Sequence, residues 1–398
     1  MSGAPAWPEL FARRTLGIRL ELQTVRAAWD ALGRPAAGVR AIHIVGTNGK
    51  GSTAAMCDHA LRRHGHRVGL FTSPHLHRVG ERVRIGGVPD DDDVLGAAVG
   101  RVLALEQHIA LPRPLSFFEL LTLAAWLRFA DAGVDTIVAE AGMGGRLDAT
   151  RLCDAAVVAV ASIDLDHQQF LGDTVAAIAA EKIAVAREGV PAISVAQAPG
   201  AAAVIEAHCR AHGVPLQWVA PLAATPRGLH GDHQRHNAAL ALAAVRVLQP
   251  DCTAAALDDV VWPGRLERLP WQGGTLLLDV GHNPAGIASV VAALREDPAL
   301  PRTRVFVGTV ADKDHAAIAA GIAALGRPWA WVDLSALGSA GVAAPAGAAG
   351  IADADALIDA VATALQRGEQ VCVCGSHVLV AAVRAAALGL PRAQPGER

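Results

Sequence analysis

The sequence predicts an α/β protein: a P-loop-type, mainly parallel sheet in an N-terminal domain over residues 1–262, then a smaller Rossmann-like α/β domain over residues 263–398. Three observations carry this prediction. Short β-branched runs alternate with longer Ala/Leu-rich segments, the pattern of parallel strands joined by helices. Each early strand run ends in a polar, glycine-rich or histidine-containing turn, and ligands of open α/β sheets gather at such strand ends. The alternation then resumes after Trp262-Pro263-Gly264 over a stretch long enough to build its own core.

The strands expected in the first domain are residues 41–45, 68–71, 135–139 and 155–161; those in the second are 275–278, 304–307, 329–332 and 370–373. An amphipathic helix is expected over 54–64. Ser116-Phe117-Phe118-Glu119 has the spacing of a capping box and opens a helix running to Gly133. A further helix starts near Asp173-Thr174 and ends before Gly189-Val190-Pro191. Asn283 can cap a helix with Pro284 in its first turn. The four acids Asp90 to Asp93 read as a solvated helix start favoured by the helix dipole, and the glycine- and alanine-rich run 334–352 as a flexible loop.

Composition narrows the function classes. With 35 basic against 38 acidic residues and no like-charge block long enough to form a basic tract, nucleic acid and anionic membranes are not expected as partners. Residues 1–14 place two prolines, an acid and two arginines where a secretory signal needs an apolar core, so a cytoplasmic protein is expected. Six cysteines without a CxxC pair suit packed thiols in a reducing compartment. Cys372 and Cys374 are expected to be buried on a strand.

The strongest local signal is Gly46-Thr47-Asn48-Gly49-Lys50-Gly51-Ser52-Thr53, which follows strand 41–45 and opens a helix. Backbone N–H groups of such a turn cradle phosphate oxygens, Lys50 adds a positive charge and Ser52 offers a hydroxyl to Mg²⁺. The spacing departs from the common phosphate loop, since Gly46 lies three residues before Gly49 and Gly51 separates Lys50 from Ser52. At neighbouring strand ends stand Thr72-Ser73-Pro74-His75, then Glu140 ahead of Gly142-Met143-Gly144-Gly145, then Asp166-His167. Carboxylate, imidazole and hydroxyl on one sheet edge make an oxygen-rich site suited to Mg²⁺ with bound phosphates.

Together with Leu147-Asp148-Ala149-Thr150, Glu181-Lys182, Gly264-Arg265 and Asp279-Val280-Gly281-His282-Asn283-Pro284, these motifs resemble the folylpolyglutamate synthase and dihydrofolate synthase family of the Mur-ligase superfamily. The ordered match runs from Leu16-Gly17-Ile18 to Cys374-Gly375-Ser376-His377. The resemblance implies an ATP-dependent ligase that joins L-glutamate to 7,8-dihydropteroate and to reduced folates through an acyl phosphate. It implies that Thr47 to Thr53 hold the nucleotide and that Asn237, Arg265 and Asp279 reach it, with His282 close by. It implies that Ser73, Glu140 and His167 join Ser52 in holding Mg²⁺, two ions in all, and that Lys182 is carbamylated to help organise them. Lys50, Lys182, His167 and His282 are thus the expected catalytic residues. It further implies a pterin-side pocket from Leu16, Gly17, Ile18 and Arg19, from Ser116, Phe117, Phe118 and Glu119, and from Leu147, Asp148 and Ala149. A monomer with small-molecule partners only is expected. Arg151, where asparagine is frequent, and Val280-Gly281, where Gly-Ala is common, depart from the family pattern and bear on substrate detail.

Two rivals are weaker. About forty residues ahead of the phosphate loop are too few for the nucleotide-sugar domain of cell-wall Mur ligases. A nucleotide-binding regulator without catalysis would have no use for Glu140, His167 and Lys182.

Overall fold

The computed structural model describes residues 6–17, 19–298, 300–337, 339–345 and 348–391. The chain divides into two compact units: residues 1–75, 79–222 and 236–258, and residues 76–78, 223–235 and 259–398.

The first unit is built on an eight-stranded sheet. In chain order its strands are β1 (Arg40–Val45), β2 (Val68–Phe71), β3 (Val83–Ile85), β4 (Val88–Pro89), β5 (Thr136–Glu140), β6 (Asp154–Val160), β7 (Ala192–Val195) and β8 (Leu216–Val219). Across the sheet they run β4-β3-β2-β5-β1-β6-β7-β8, parallel except for the β2–β3–β4 edge. Its helices are α1 (Trp7–Ala12), α2 (Gln23–Ala31), α3 (Lys50–Arg63), α4 (Asp92–Glu106), α5 (Phe117–Asp131), α6 (Gln168–Leu171), α7 (Val175–Ile183), α8 (Pro199–Ala211) and α9 (His233–Leu248). Helix α9 begins within residues 233–235, which cluster with the second unit. One core, around Phe71, Trp126 and Phe129, lies under α4 and α5, and another, around Val158, Ile178 and Ile205, under α7 and α8.

All four expected strands are present to within a residue or so, and four more lie between or beyond them. Register then sets the site. Ile44 pairs with Glu140, Val45 with Val160 and Phe71 with Ala139, so β1, β2, β5 and β6 end at one level. That level collects the phosphate loop, Ser73, Glu140 and residues 162–167 on one edge.

Among the described residues the second unit carries six strands: β9 (Glu267–Trp271), β10 (Gly274–Asp279), β11 (Thr303–Val307), β12 (Trp329–Val332), β13 (Ala349–Ile351) and β14 (Gln370–Cys374), in the order β13-β12-β11-β14-β10-β9. Only β9 is antiparallel. Helices α10 (Pro284–Glu296), α11 (His315–Ala323), α12 (Ala354–Gln366) and α13 (His377–Leu388) accompany them. Cys372 and Cys374 are fully buried on β14, and all six cysteines are free.

Three expectations need correction. The single division near residue 262 misses residues 76–78 and 223–235, which cluster with the second unit. Leu76 packs in its core with Leu276 and Val280, and the Arg227–Asp259 and Gly228–Val260 approaches tie the second segment there. The acidic run is not wholly solvated, because Asp90 is buried and takes two hydrogen bonds from Arg128 at 2.7 and 3.1 Å, while Asp91 caps α4. The run 334–352 is not simply a loop: Leu334–Leu337 forms a 3₁₀ turn with Leu334 buried, and β13 pairs with β12. No helix among the described residues is long and apolar enough to cross a membrane.

Candidate active site

Helix α3 starts at Lys50 rather than at 54, so Lys50, Gly51, Ser52 and Thr53 form its first turn, where N–H groups and the helix dipole favour an anion. The turn before it is tight. Gly46 has φ +144° and a Cβ there would lie 2.8 Å from the Ala161 Cβ; Gly49 has φ +87° and its Cβ would lie 2.2 Å from Asn237 Oδ1. Only glycine meets both the left-handed conformation and the close approach. From the other side, Thr47 and Asn48 donate their N–H groups to the Ser162 carbonyl at 2.7 and 3.1 Å, and Asn48 Nδ2 donates to Asp164 Oδ2 at 3.1 Å. Lys50 Nζ folds back to the Thr47 carbonyl at 3.1 Å. Thr53 Oγ1 is buried without a hydrogen-bond partner, an orphan that a phosphate oxygen would satisfy.

Beside this loop the Ser73 N–H donates to Glu140 Oε2 at 3.1 Å, joining the ends of β2 and β5, and Glu140 is buried. Lys182, buried on α7, donates to the Gly46 carbonyl at 2.7 Å, so its helix delivers it under the phosphate loop. Burial pushes its pKa down to about 7, helped by the charge of Lys50 and opposed by Asp166 and Asp148. His167 sits at the start of α6 with φ +51°, next to buried Asp166. No group of three His, Cys, Asp or Glu that could hold a metal is found among the described residues. A buried carboxylate with nearby hydroxyls still fits Mg²⁺, which takes one or two protein carboxylates, keeps water and completes its shell with phosphate oxygens.

The residues expected on the acid-substrate side divide into two kinds. Ser116 and Glu119 form the capping box, and the Glu119 carboxylate also takes hydrogen bonds from Arg113 at 2.8 and 2.9 Å; both residues are committed to holding the start of α5. Phe118 packs on Phe71 and its ring fills the space a Cβ on Gly142 would need. Phe117 stacks on Phe11, with the guanidinium groups of Arg14 and Arg82 over its ring at 4.7 and 5.1 Å. Leu147 is half-buried, while Asp148 and Ala149 are buried. Leu16 ends a short 3₁₀ helix, Gly17 follows with φ +66° and Arg19 is exposed; Ile18 lies outside the described residues.

In the second unit Asp279 ends β10 and accepts the N–H of Leu266 at 2.9 Å and of Gly281 at 2.7 Å, so it organises the backbone after Arg265 as well as its own turn. Asn283 caps α10 with Pro284 in its first turn, as expected. His282 Nδ1 lies 3.0 Å from the Val280 carbonyl, and its ring is 5.7 Å from that of His377.

Sequence reasoning missed Asp164, whose signal was its place two residues before Asp166. It also missed the arginine pair. Arg82 is buried, bonded to His75 Nδ1 at 2.8 Å, and pushed down to about 9 by burial and by Arg14, against the pull of Glu140 and Glu81. The two arginines are far apart in sequence, and only the fold brings them to one ring.

Residues 264–377 match the family model described as Mur ligase, glutamate ligase domain. A dihydrofolate synthase/folylpolyglutamate synthase of Bacillus subtilis is 32% identical over 349 residues, covering 78% of this chain and 80% of the relative. The solved structure of E. coli FolC in complex with DHPP and ADP superposes with a TM-score of 0.85 at 27% identity, covering 98% of this chain and 99% of that one. An FPGS–AMPPCP–folate complex gives a TM-score of 0.83 at 30% identity, covering 96% and 100%. The chain belongs to the dihydrofolate synthase/folylpolyglutamate synthase family of Mur-type ligases.

Proposed function

We propose that this protein is an ATP-dependent ligase that joins L-glutamate to the carboxylate of 7,8-dihydropteroate and to the glutamyl side chain of reduced folates, releasing ADP and phosphate. The observation that carries this reading is the phosphate loop itself, with buried Lys182 hydrogen-bonded beneath Gly46 and Glu140 on the same sheet edge. Relatives solved with ADP and DHPP, and with AMPPCP and folate, support the substrate class.

A carboxylate is a poor acyl donor. Its oxygen therefore attacks the γ-phosphorus of ATP, the β,γ-bridging oxygen leaves with ADP, and an acyl phosphate forms; the amine of glutamate then attacks the acyl carbon and phosphate leaves. The first turn of α3 binds and orients the phosphates through its backbone N–H groups, and residues 46–49 hold that turn in place. Lys50 supplies positive charge against the negative charge on the transferring phosphoryl group and its leaving oxygen. Ser52, Ser73, Glu140 and His167 would hold two Mg²⁺ ions, which supply charge neutralisation on the phosphates. Lys182 would carry a carbamate: its amine adds to the carbon of CO₂ and loses a proton. The low pKa of about 7 keeps much of that amine unprotonated at neutral pH, as the addition requires. Asn237, Arg265 and Asp279 would add to nucleotide binding and His282 to catalysis, while Leu16 to Arg19, Phe117, Phe118 and Leu147 to Ala149 would meet the pterin. The protein works as a cytoplasmic monomer on small molecules, a setting that its six free, buried cysteines suit.

Phosphate release measured with Mg-ATP, glutamate and either dihydropteroate or tetrahydrofolate tests the reading. Turnover with both acids is expected. Turnover with tetrahydrofolate alone would leave a polyglutamate synthase only.

A further inference from the structure

Strand β1 reads Arg-Ala-Ile-His-Ile-Val; after exposed Arg40 the run is buried, and His43, 1% exposed, is the one polar residue within it. A polar ring so placed needs a partner. His43 Nε2 lies 2.9 Å from Thr150 Oγ1, and that hydroxyl lies 2.5 Å from Asp148 Oδ1, to which it donates. Thr150 has one hydroxyl proton and gives it to the carboxylate, so the histidine nitrogen must be the donor on the other side. This fixes the tautomer with hydrogen on Nε2. Burial, with the charge of Arg151, pushes the His43 pKa down to about 4, so the ring is a neutral donor across the physiological range.

The chain ends at a loaded carboxylate. Asp148 Oδ1 also accepts the Thr150 N–H at 2.9 Å, and Oδ2 accepts the Met143 N–H at 2.9 Å, which closes the turn after Glu140. A carboxylate offers about four lone-pair sites. The Met143 and Thr150 N–H groups and the Thr150 hydroxyl bond it, and the Gly142 N–H adds to them, so the carboxylate ties the 142–150 turn together. Both Asp148 and Thr150 are buried, at 5% and 0% exposure, so neither is steered by solvent.

We propose that His43 is a positioning residue for the acid substrate: through Thr150 it orients the Asp148 carboxylate and the 142–148 turn, and so sets affinity for the pterin acid without touching it. This rests on reading Leu147 to Ala149 as part of the pterin-side pocket. A ring held in the sheet interior is a rigid anchor, whereas Asp148 on its own could rotate about two side-chain bonds.

The test is steady-state kinetics of phosphate release, with the KM for dihydropteroate and the KM for Mg-ATP measured separately. Thr150→Val and His43→Leu remove one hydrogen-bonding group each at similar volume; Thr150→Ser and His43→Gln retain a hydroxyl and a side-chain N–H. The first pair should raise the dihydropteroate KM about tenfold and leave the Mg-ATP KM within about twofold. The second pair should stay near the parent protein. If His43→Leu fails to fold, the Thr150→Val and Thr150→Ser comparison carries the test. An unchanged dihydropteroate KM in Thr150→Val, or a rise matched in the Mg-ATP KM, overturns the proposal. Asp148→Asn separates the two levels: if it raises the dihydropteroate KM while Thr150→Val does not, only the His43 relay falls. If Asp148→Asn leaves that KM unchanged, the pocket reading falls and the proposal with it.

Discussion

Replacing Gly49 by alanine perturbs the nucleotide loop at its tightest point. The residue sits at φ +87°, where an L side chain adds about 1–2 kcal/mol of strain. The new Cβ would also lie 2.2 Å from Asn237 Oδ1 and 3.0 Å from its Cγ, an overlap that overpacking studies put at about 1–3 kcal/mol. Together these destabilise by about 2–5 kcal/mol, a large share of the roughly 5–15 kcal/mol that holds a folded protein. The loop can relieve the clash by opening, which moves the N–H groups of α3 away from the phosphates. Denaturant unfolding followed with and without ADP, plus ADP titration calorimetry, should therefore show lower stability and ADP binding weaker by at least about tenfold. Asn237→Ala in the same chain removes the clashing atoms and leaves the φ strain. The double variant should recover about 1–3 kcal/mol relative to the sum of the single effects. A Gly49→Ala protein with unchanged stability and ADP affinity, or strict additivity with Asn237→Ala, would refute the reasoning.

Lys182→Ala should lower ligation at least about a hundredfold, and short carboxylates such as acetate should restore part of it by standing in for the carbamate; full activity in the variant would exclude a role for that side chain. Lys50→Ala and Ser52→Ala should each lower turnover by a similar factor with the fold intact, as read by circular dichroism and phosphate release. His43 gives a pH dependence. Its pKa in the fold, about 4, lies below the roughly 6.5 of an unfolded chain, so its contribution to stability is complete above pH 6.5 and is lost as pH falls toward 4. The difference amounts to about 3 kcal/mol by pH 4, so His43→Gln should unfold with a flatter acid limb than the parent protein; parallel curves would contradict the buried neutral ring.

What could be read from the sequence was local. The phosphate loop, the Ser116–Glu119 box and the Asn283-Pro284 helix start are signals spanning fewer than ten residues, and each formed where its spacing placed it. Strands β3 and β4 escaped because a three-residue and a two-residue strand carry almost no periodicity. Strand β9 escaped because it alternates exposed and half-buried residues and contains Pro270, which argues against a strand until an antiparallel edge is known. The Asp90–Arg128 pair, the Arg14–Phe117–Arg82 stack and the His43–Thr150–Asp148 chain are contacts between residues distant in sequence, and only the assembled sheet reveals them. Glu119 shows the converse, since the capping motif that exposed it accounts for its bonds to Ser116, and the remaining carboxylate bonds go to Arg113.

The central claim, that this chain activates a carboxylate as an acyl phosphate before joining it to glutamate, is tested most directly by oxygen transfer. Dihydropteroate carrying ¹⁸O in its carboxylate is incubated with Mg-ATP, L-glutamate and the protein, and the released phosphate is analysed by mass spectrometry. Phosphate carrying one ¹⁸O, formed in step with the amide product, is the predicted result; unlabelled phosphate released alongside amide would contradict it.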